Sequence, residues 1–155
     1  MAKKSTVIVL VMLLLAGSCK NLESRKTDPN EMTNETEKMA TAYTFLLKKL
    51  QEDNLNLIAG RNNENLSLIK DIIRTNNFDL EVENYDNIQR EPDLCYYSKS
   101  TKRTVAIIDV SKRKERTYYI SYYIGPEGGA SKEILITKRN EKWVVANDDG
   151  IWAVK

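Results

Sequence analysis

The sequence predicts an α+β fold in which two N-terminal helices pack on a curled antiparallel β-meander of about five to six strands. Two observations lead to this fold class. Apolar residues recur at helical spacing over residues 39–73 and then alternate with polar residues from Phe78 onward. The later strands are joined by short loops, and because a parallel pair needs a long crossover, these loops favour antiparallel neighbours.

Both predicted helices lie in the first half of the domain. In the first, apolar residues over 39–50 repeat at three- and four-residue intervals, with charged residues on the other side. The same pattern extends to Gly60, whose freedom at positive φ suits a helix C-terminal cap. Asn62 or Asn63 is then positioned to cap a second helix that ends near residue 76. Both helices are therefore expected to precede the first strand.

The predicted strands are rich in valine, isoleucine and tyrosine. They cover residues 78–83, 94–98, 104–110, 117–124, 133–138, 143–146 and 151–154. Glycine, proline, asparagine and aspartate dominate the connections at 125–129, 139–141 and 147–150. These connections predict hairpins.

Residues 1–18 have the layout of a signal peptide. Lys3 and Lys4 precede an apolar run at 7–15, and small residues follow. The run is too short for a membrane span, which takes about 20 apolar residues. Without Lys3 and Lys4, basic and acidic residues are balanced. This balance gives no electrostatic reason for nucleic-acid binding.

The motif Ala16-Gly17-Ser18-Cys19 resembles the lipobox of bacterial lipoproteins. The resemblance implies cleavage just before Cys19, acylation of Cys19, and anchoring in a membrane of the bacterial cell envelope. The expected location is the outer membrane, with the domain facing the periplasm or the surface. Two alternatives are an ordinary secretory signal with an incidental Cys19, and a short uncleaved anchor. With Cys19 acylated, Cys95 has no intramolecular disulfide partner.

Three segments follow from this organisation: a signal peptide at 1–18, a lipidated cysteine with a flexible polar tether at 19–34, and a single domain at 35–155. The order of elements in that domain is similar to the cystatin-like and nuclear-transport-factor-like superfamily. The similarity rests on two helices followed by a curled sheet that ends in the strand Trp143-Val144-Val145. It implies a fold and carries over no catalytic residues.

The chain contains no histidine. This composition excludes Ser-His-Asp and Cys-His catalysis and histidine-ligated zinc. Ser67 and Lys70 match a Ser-x-x-Lys pattern, but the companion motifs of penicillin-recognising enzymes are absent. We therefore predict no catalytic residue, no metal site and no cofactor.

Tyrosines are concentrated between residues 96 and 123. Strand alternation places Tyr119 and Tyr123 on one face of a strand, opposite Tyr118 and Tyr122. Together with Tyr97, the first two are candidate binding residues, because tyrosine offers a large contact area at low entropic cost. The alternative is that these tyrosines only reflect strand propensity and packing.

A basic cluster forms the second candidate for binding. It consists of Lys112, Arg113, Lys114 and Arg116. Hairpin topology brings this cluster to the same end of the sheet as Lys138, Arg139 and Lys142. Such an end suits anionic lipid or an acidic partner, and the alternative is a solvated rim.

Three functions from different classes remain. The first is a membrane-tethered, non-catalytic module that binds a protein or a small ligand. A narrower variant is an inhibitor or immunity-type lipoprotein that blocks an enzyme. The third is a small hydrolase or isomerase with a pocket in the curled sheet, which requires a desolvated carboxylate beside a tyrosine.

Overall fold

The computed structural model describes residues 29–90, 95–126, 128–146, 148 and 151–154. The elements in this part of the chain, in order, are α1 (Pro29–Glu52), β1 (Leu57–Gly60), α2 (Leu66–Asn76), β2 (Glu81–Val82), β3 (Ile88–Arg90), β4 (Tyr96–Ser98), β5 (Ala106–Lys114), β6 (Thr117–Tyr123), β7 (Gly129–Arg139), β8 (Lys142–Val145) and β9 (Ala153–Val154). Short 3₁₀ turns follow β1 and precede β3.

Helix α1 begins at Pro29, earlier than the domain start that the sequence predicts at Glu35. A proline fits the first turn of a helix because its fixed φ is already helical and its missing N–H has no partner there. Residues 29–34, assigned from the sequence to the flexible tether, are therefore helical. The signal peptide and the rest of the tether, with Cys19, lie outside the described residues.

The predicted extension of α1 to Gly60 is wrong. Asn54 adopts a left-handed conformation (φ 58°), and the Leu55 N–H donates to the Leu50 carbonyl at 2.9 Å. A backbone hydrogen bond of this kind is typical of a helix end, and asparagine adopts the left-handed conformation there more readily than most residues. Gly60 instead ends β1 at a negative φ, where an added Cβ would lie 2.8 Å from the Glu64 carbonyl oxygen.

Strand β1 makes the sheet mixed, which corrects the prediction of a purely antiparallel meander. It pairs in parallel with β2 and β5, with Ile58 opposite both Val82 and Ala106. It also lies between α1 and α2, so the two helices do not both precede the first strand. The α+β class is otherwise as predicted. All four residues of β1 are buried, and this explains its uninterrupted apolar sequence.

The antiparallel part of the prediction is confirmed for β5 to β8. The sheet order is β2-β1-β5-β6-β7-β8, and β9 pairs with the first residues of β7. A separate hairpin of β3 and β4 packs beside the sheet, where Ile88 and Tyr96 cover Leu57 and Ile107. Of the strand predicted at 78–83, only the two residues of β2 are extended and paired, and β3 was not predicted.

The main core lies between the helices and one face of the curled sheet, which we call the inner face. Its largest fully buried side chains include Leu46, Leu47 and Leu50 of α1 and Ile120 of β6. Each such side chain contributes about 1.5–3 kcal/mol through burial. The inner face is therefore filled by α1.

Two polar contacts fix the direction of α1 on the sheet. Near the start of the helix, the Glu35 carboxylate accepts hydrogen bonds from Lys112 and Tyr118. At its other end, Asp53 accepts a hydrogen bond of 2.6 Å from the Tyr122 hydroxyl. Because Tyr118 begins β6 and Tyr122 is near its end, α1 runs along β6 with its N-terminus toward the β5–β6 turn.

Candidate functional site

The alternation of tyrosines along β6 is confirmed. Tyr118 and Tyr122 are buried in the core, with 0% and 7% of their surface exposed. Tyr119 and Tyr123 are half-buried on the opposite side of the sheet, which we call the outer face. The strand register places Asp109, Ser121 and Ser131 in one row across this face.

Two arginines lie over the outer-face tyrosines. The Arg113 guanidinium carbon is 5.0 Å from the centre of the Tyr119 ring, and that of Arg61 is 5.7 Å from the Tyr123 ring. Arg61 also pairs with Asp109 at 3.2 Å. These distances lie within the range of cation–π attraction. Two adjacent Tyr–Arg pairs therefore form on β6.

Sequence reasoning found Arg113 but missed Arg61. Arg61 follows β1, and only the parallel pairing of β1 with β5 brings it to this face. Because β1 reads as helix in the sequence, no local signal connects Arg61 with Tyr123.

Ser121 lies between the two Tyr–Arg pairs. It is 0% exposed, and its hydroxyl has no hydrogen-bond partner within the described part of the chain. A buried hydroxyl without a partner is unfavourable, because it loses its hydrogen bonds to water and gains none. Serine at this position supplies a small side chain between two large rings.

Replacing Ser121 with alanine is expected to leave the free energy of unfolding unchanged or to raise it by up to about 1 kcal/mol. The matched control is Ser98→Ala. Ser98 is equally buried, but its hydroxyl donates to Glu83 at 2.5 Å, so its loss should cost about 1–3 kcal/mol. Urea unfolding of both variants measures the difference. Equal destabilisation by the two substitutions would contradict this assignment.

Tyr97 does not join the other two candidate tyrosines. It lies in β4, which belongs to the separate β3–β4 sheet, where it pairs with Gln89 and forms a bridge with Thr104. The structure thus brings Tyr119 and Tyr123 together and places Tyr97 elsewhere.

The basic residues meet at one end of the sheet, as the hairpin topology predicts. The Arg116 carbonyl accepts a hydrogen bond of 2.8 Å from Ile136 of β7, and β7 then continues to the next turn. Seven exposed side chains define what we call the basic end: Lys112, Arg113, Lys114, Arg116, Lys138, Arg139 and Lys142.

Glu35 connects the basic end to α1. Partial burial acts to raise the pKa of its carboxyl group, but hydrogen bonds from Lys112 and Lys38 outweigh this effect and hold the pKa below its usual value. The Lys38 amine also lies 5.0 Å from the centre of the Trp143 ring. Glu35 is therefore charged at neutral pH.

A groove of about 560 Å³ runs along the flank of α1, beside the edge strand β8. Its lining is mostly apolar and consists of Ala40, Thr41, Thr44, Phe45, Lys48, Trp143, Val144, Val145 and Asp148. This groove was not predicted from the sequence, because its lining comes from segments about 100 residues apart that only the tertiary fold brings together.

Polar groups are found at one end of the groove. Lys132 is only 8% exposed, and its amine is 2.8 Å from the Asp148 carboxylate. Beside this pair, the rings of Phe45 and Trp152 stack with centres 6.0 Å apart. Pairing with a carboxylate is what makes the burial of a lysine tolerable. The groove thus combines apolar walls with a charged end.

Three further features concern metal binding, the cysteine and membrane spanning. Within the described residues, no group of three or more histidine, cysteine, aspartate or glutamate side chains is arranged to hold a metal ion. Cys95 is half-buried and forms no disulfide there. Neither described helix combines the length and the apolar character that crossing a bilayer requires.

Comparison with known proteins adds no family assignment: no family model, no curated protein and no solved structure matches the chain. The lipobox at Cys19 and the similarity to the cystatin-like superfamily therefore stay predictions.

Proposed function

We propose that this chain is an exported lipoprotein, anchored through Cys19, whose domain binds a protein partner without catalysis. The observation that carries the proposal is the pair of arginine-capped tyrosines on the outer face. Tyr119 and Tyr123 lie two residues apart on β6, a strand paired on both sides. The binding residues are therefore held on a rigid element.

The chemistry of the outer face supports protein binding. Tyrosine and arginine are enriched among the residues that contribute most to protein–protein binding energy. A tyrosine fixed by an arginine over its ring loses little further freedom on binding, which lowers the entropic cost of the interface. Both helices pack on the inner face, so neither covers Tyr119 or Tyr123.

The inner face supports a non-catalytic role. A pocket enzyme on this fold would need a cavity between the helices and the sheet, but Tyr118, Ile120 and Ile134 fill that space at 0–1% exposure. Asp53 beside Tyr122 has the residue types of an acid–base pair. Their hydrogen bond instead joins the end of α1 to the sheet.

An enzyme as the partner would make the protein an inhibitor or immunity-type lipoprotein, and the same surface serves that variant.

The groove favours a second candidate function, the carriage of a small apolar ligand. Its volume of about 560 Å³ lies within the usual range of about 300–1,000 Å³ for ligand sites.

Site-specific photo-crosslinking in cells of the native host tests the proposal. A photoreactive residue replaces Glu133, which is exposed and lies opposite Tyr119 on β7. The control position is Lys70, exposed on α2. We expect a discrete protein adduct from position 133 and none from position 70.

Tyr119→Ala with Tyr123→Ala should reduce the adduct at least about tenfold, because each interface tyrosine contributes on the order of 1–2 kcal/mol. Tyr97→Ala is the matched control and should leave the adduct unchanged. An adduct that survives the double substitution would count against the outer face. A lipid-like adduct at Thr44, with no protein adduct at 133, would favour the carrier.

A further inference from the structure

We propose that the basic end docks on anionic lipid headgroups and thereby orients the domain on the membrane. The inference extends the proposed function, because it takes the lipid at Cys19 as the first attachment and the basic end as the second. A single attachment leaves a domain free to rotate. A second, electrostatic one fixes which surface faces the bilayer.

The N-terminus of α1 lies at the basic end. Glu35 contacts Lys112 and Tyr118, so the beginning of α1 lies over the β5–β6 turn. Lys38, one turn further along, contacts Trp143 near the β7–β8 turn. The chain that leads back to Cys19 therefore joins the domain at the basic end.

The segment between the lipidated cysteine and the fold is short. Nine residues, and thus ten residue-to-residue steps, separate Cys19 from Pro29, where α1 begins. At about 3.3–3.6 Å per residue, this segment reaches at most about 35 Å whatever its conformation. The tether therefore holds the start of α1 within about 35 Å of the lipid, and the surface nearest that start carries the basic residues.

The basic end carries a net positive charge. All seven basic side chains of the basic end are exposed. Glu35 pairs with Lys112, Glu141 pairs with Lys138 at 3.0 Å, and Glu115 lies in the first turn, so carboxylates offset only part of the positive charge. Glu37 is also exposed nearby on α1. The net charge of the basic end therefore remains positive, although basic and acidic residues are equal in number over residues 19–155.

This concentration of charge at the tethered end favours the membrane over an acidic protein as the occupant. Clusters of four or more lysines and arginines beside a membrane attachment are typical of binding to anionic lipid. A lipid anchor combined with a basic patch also holds more firmly than a single acyl chain.

The test uses the full chain carrying Cys19→Ala, so that no acyl group contributes. Its flotation is compared on vesicles of phosphatidylcholine alone and of phosphatidylcholine with about 30% phosphatidylglycerol. Lys3 and Lys4 beside the apolar run at 7–15 also favour the anionic vesicles. Their contribution is the same in the parent chain and in the two variants described below, so the comparison of those variants isolates the basic end. We expect at least about tenfold stronger binding to the anionic vesicles, lost at about 0.5 M salt.

Two matched variants locate the effect. Replacing Lys114, Arg116, Arg139 and Lys142 with glutamate should abolish the preference for anionic vesicles. Replacing Lys70, Arg74, Lys99 and Lys102 with glutamate changes the net charge equally and should retain most of it. These control residues are away from the basic end.

Equal binding to both vesicle types, or equal loss in both variants, would overturn the inference. A discrete protein adduct from a photoreactive residue at Lys142, in the same crosslinking experiment in cells, would identify an acidic protein as the occupant and would also overturn it. Because the assay contains no lipidated protein, its outcome is independent of whether Cys19 is acylated. Its failure is therefore distinguishable from failure of the lipoprotein proposal.

Discussion

Replacing Cys19 with alanine is expected to shift the protein from the membrane fraction to the soluble fraction at physiological salt. Each buried methylene of an acyl chain contributes about 0.8 kcal/mol to membrane binding, so the acylation expected at Cys19 is the main source of attachment. The basic end alone gives only reversible, salt-sensitive binding. The expected change is therefore nearly complete release.

Intact mass is the second measurement for this variant. The wild type should lack residues 1–18 and carry added acyl mass, whereas the alanine variant should carry none. Cys95→Ala is the matched control, since Cys95 lies in the domain and should not affect fractionation. A soluble wild type without acyl mass would refute the lipoprotein proposal and leave an ordinary secreted domain.

A loss of stability between about pH 10 and pH 12 is the second large effect that we expect. Burial, with the nearby Glu35 carboxylate, raises the pKa of Tyr118 to about 12. Burial and the Asp53 carboxylate likewise raise the pKa of Tyr122. In the unfolded chain a tyrosine ionises near pH 10. The folded state therefore resists ionisation of both groups.

The free energy of unfolding falls as the pH rises, because proton binding and folding are linked. Because both folded-state pKa values lie above the unfolded value, the stabilisation is fully present below about pH 10. It is lost as the pH rises from about 10 toward 12, where the unfolded chain releases these protons first. For Tyr118 the loss is at most about 2–3 kcal/mol, at about 1.4 kcal/mol per pKa unit, and screening by solvent around the hydroxyl group reduces it.

Urea unfolding at intervals from pH 8 to pH 12 measures this loss. Tyr118→Phe and Tyr122→Phe should each flatten the decline, because phenylalanine does not ionise. Tyr97→Phe, outside the main core, serves as the control and should reproduce the wild-type curve. Lysines also lose charge in this pH range, so an equal decline in all four proteins would attribute the effect to them instead.

The part of the fold that the sequence predicted is the part with a clear local period. Alternation along β6 assigned Tyr118 and Tyr119 to opposite faces correctly. Hairpin chemistry predicted the turn at Asn140 and Glu141, both of which adopt the positive φ that a tight hairpin requires. In these segments local propensity and tertiary packing agree.

Strand β1 was missed because its residues fit two patterns. Leu57 and Ile58 continue the helical spacing of α1, and a short apolar run does not by itself distinguish a strand from a helix. The deciding features are Asn54, which ends the helix, and the pairing of Ile58 with Ala106. Ala106 lies far from β1 in the sequence, so no local pattern reveals this pairing.

The candidate surfaces were predictable to different degrees for the same reason. Tyr119, Tyr123 and Arg113 belong to one hairpin, so strand alternation and turn topology were enough to find them. Arg61 depends on β1, and the groove depends on the distance between α1 and β8. Residues that meet only through tertiary packing leave no periodic signal in the chain.

If the chain is exported as proposed, the parallel pairing of β1 with β5 also bears on when the domain folds. These strands are about fifty residues apart in sequence, and a contact of such high order forms late because a long loop must close first. While β5 is still on the inner side of the membrane, α1, β1 and α2 lack the strand that completes their sheet. A chain that threads through a translocation channel must remain unfolded, and in an exported chain this topology would delay folding until most of the domain had crossed.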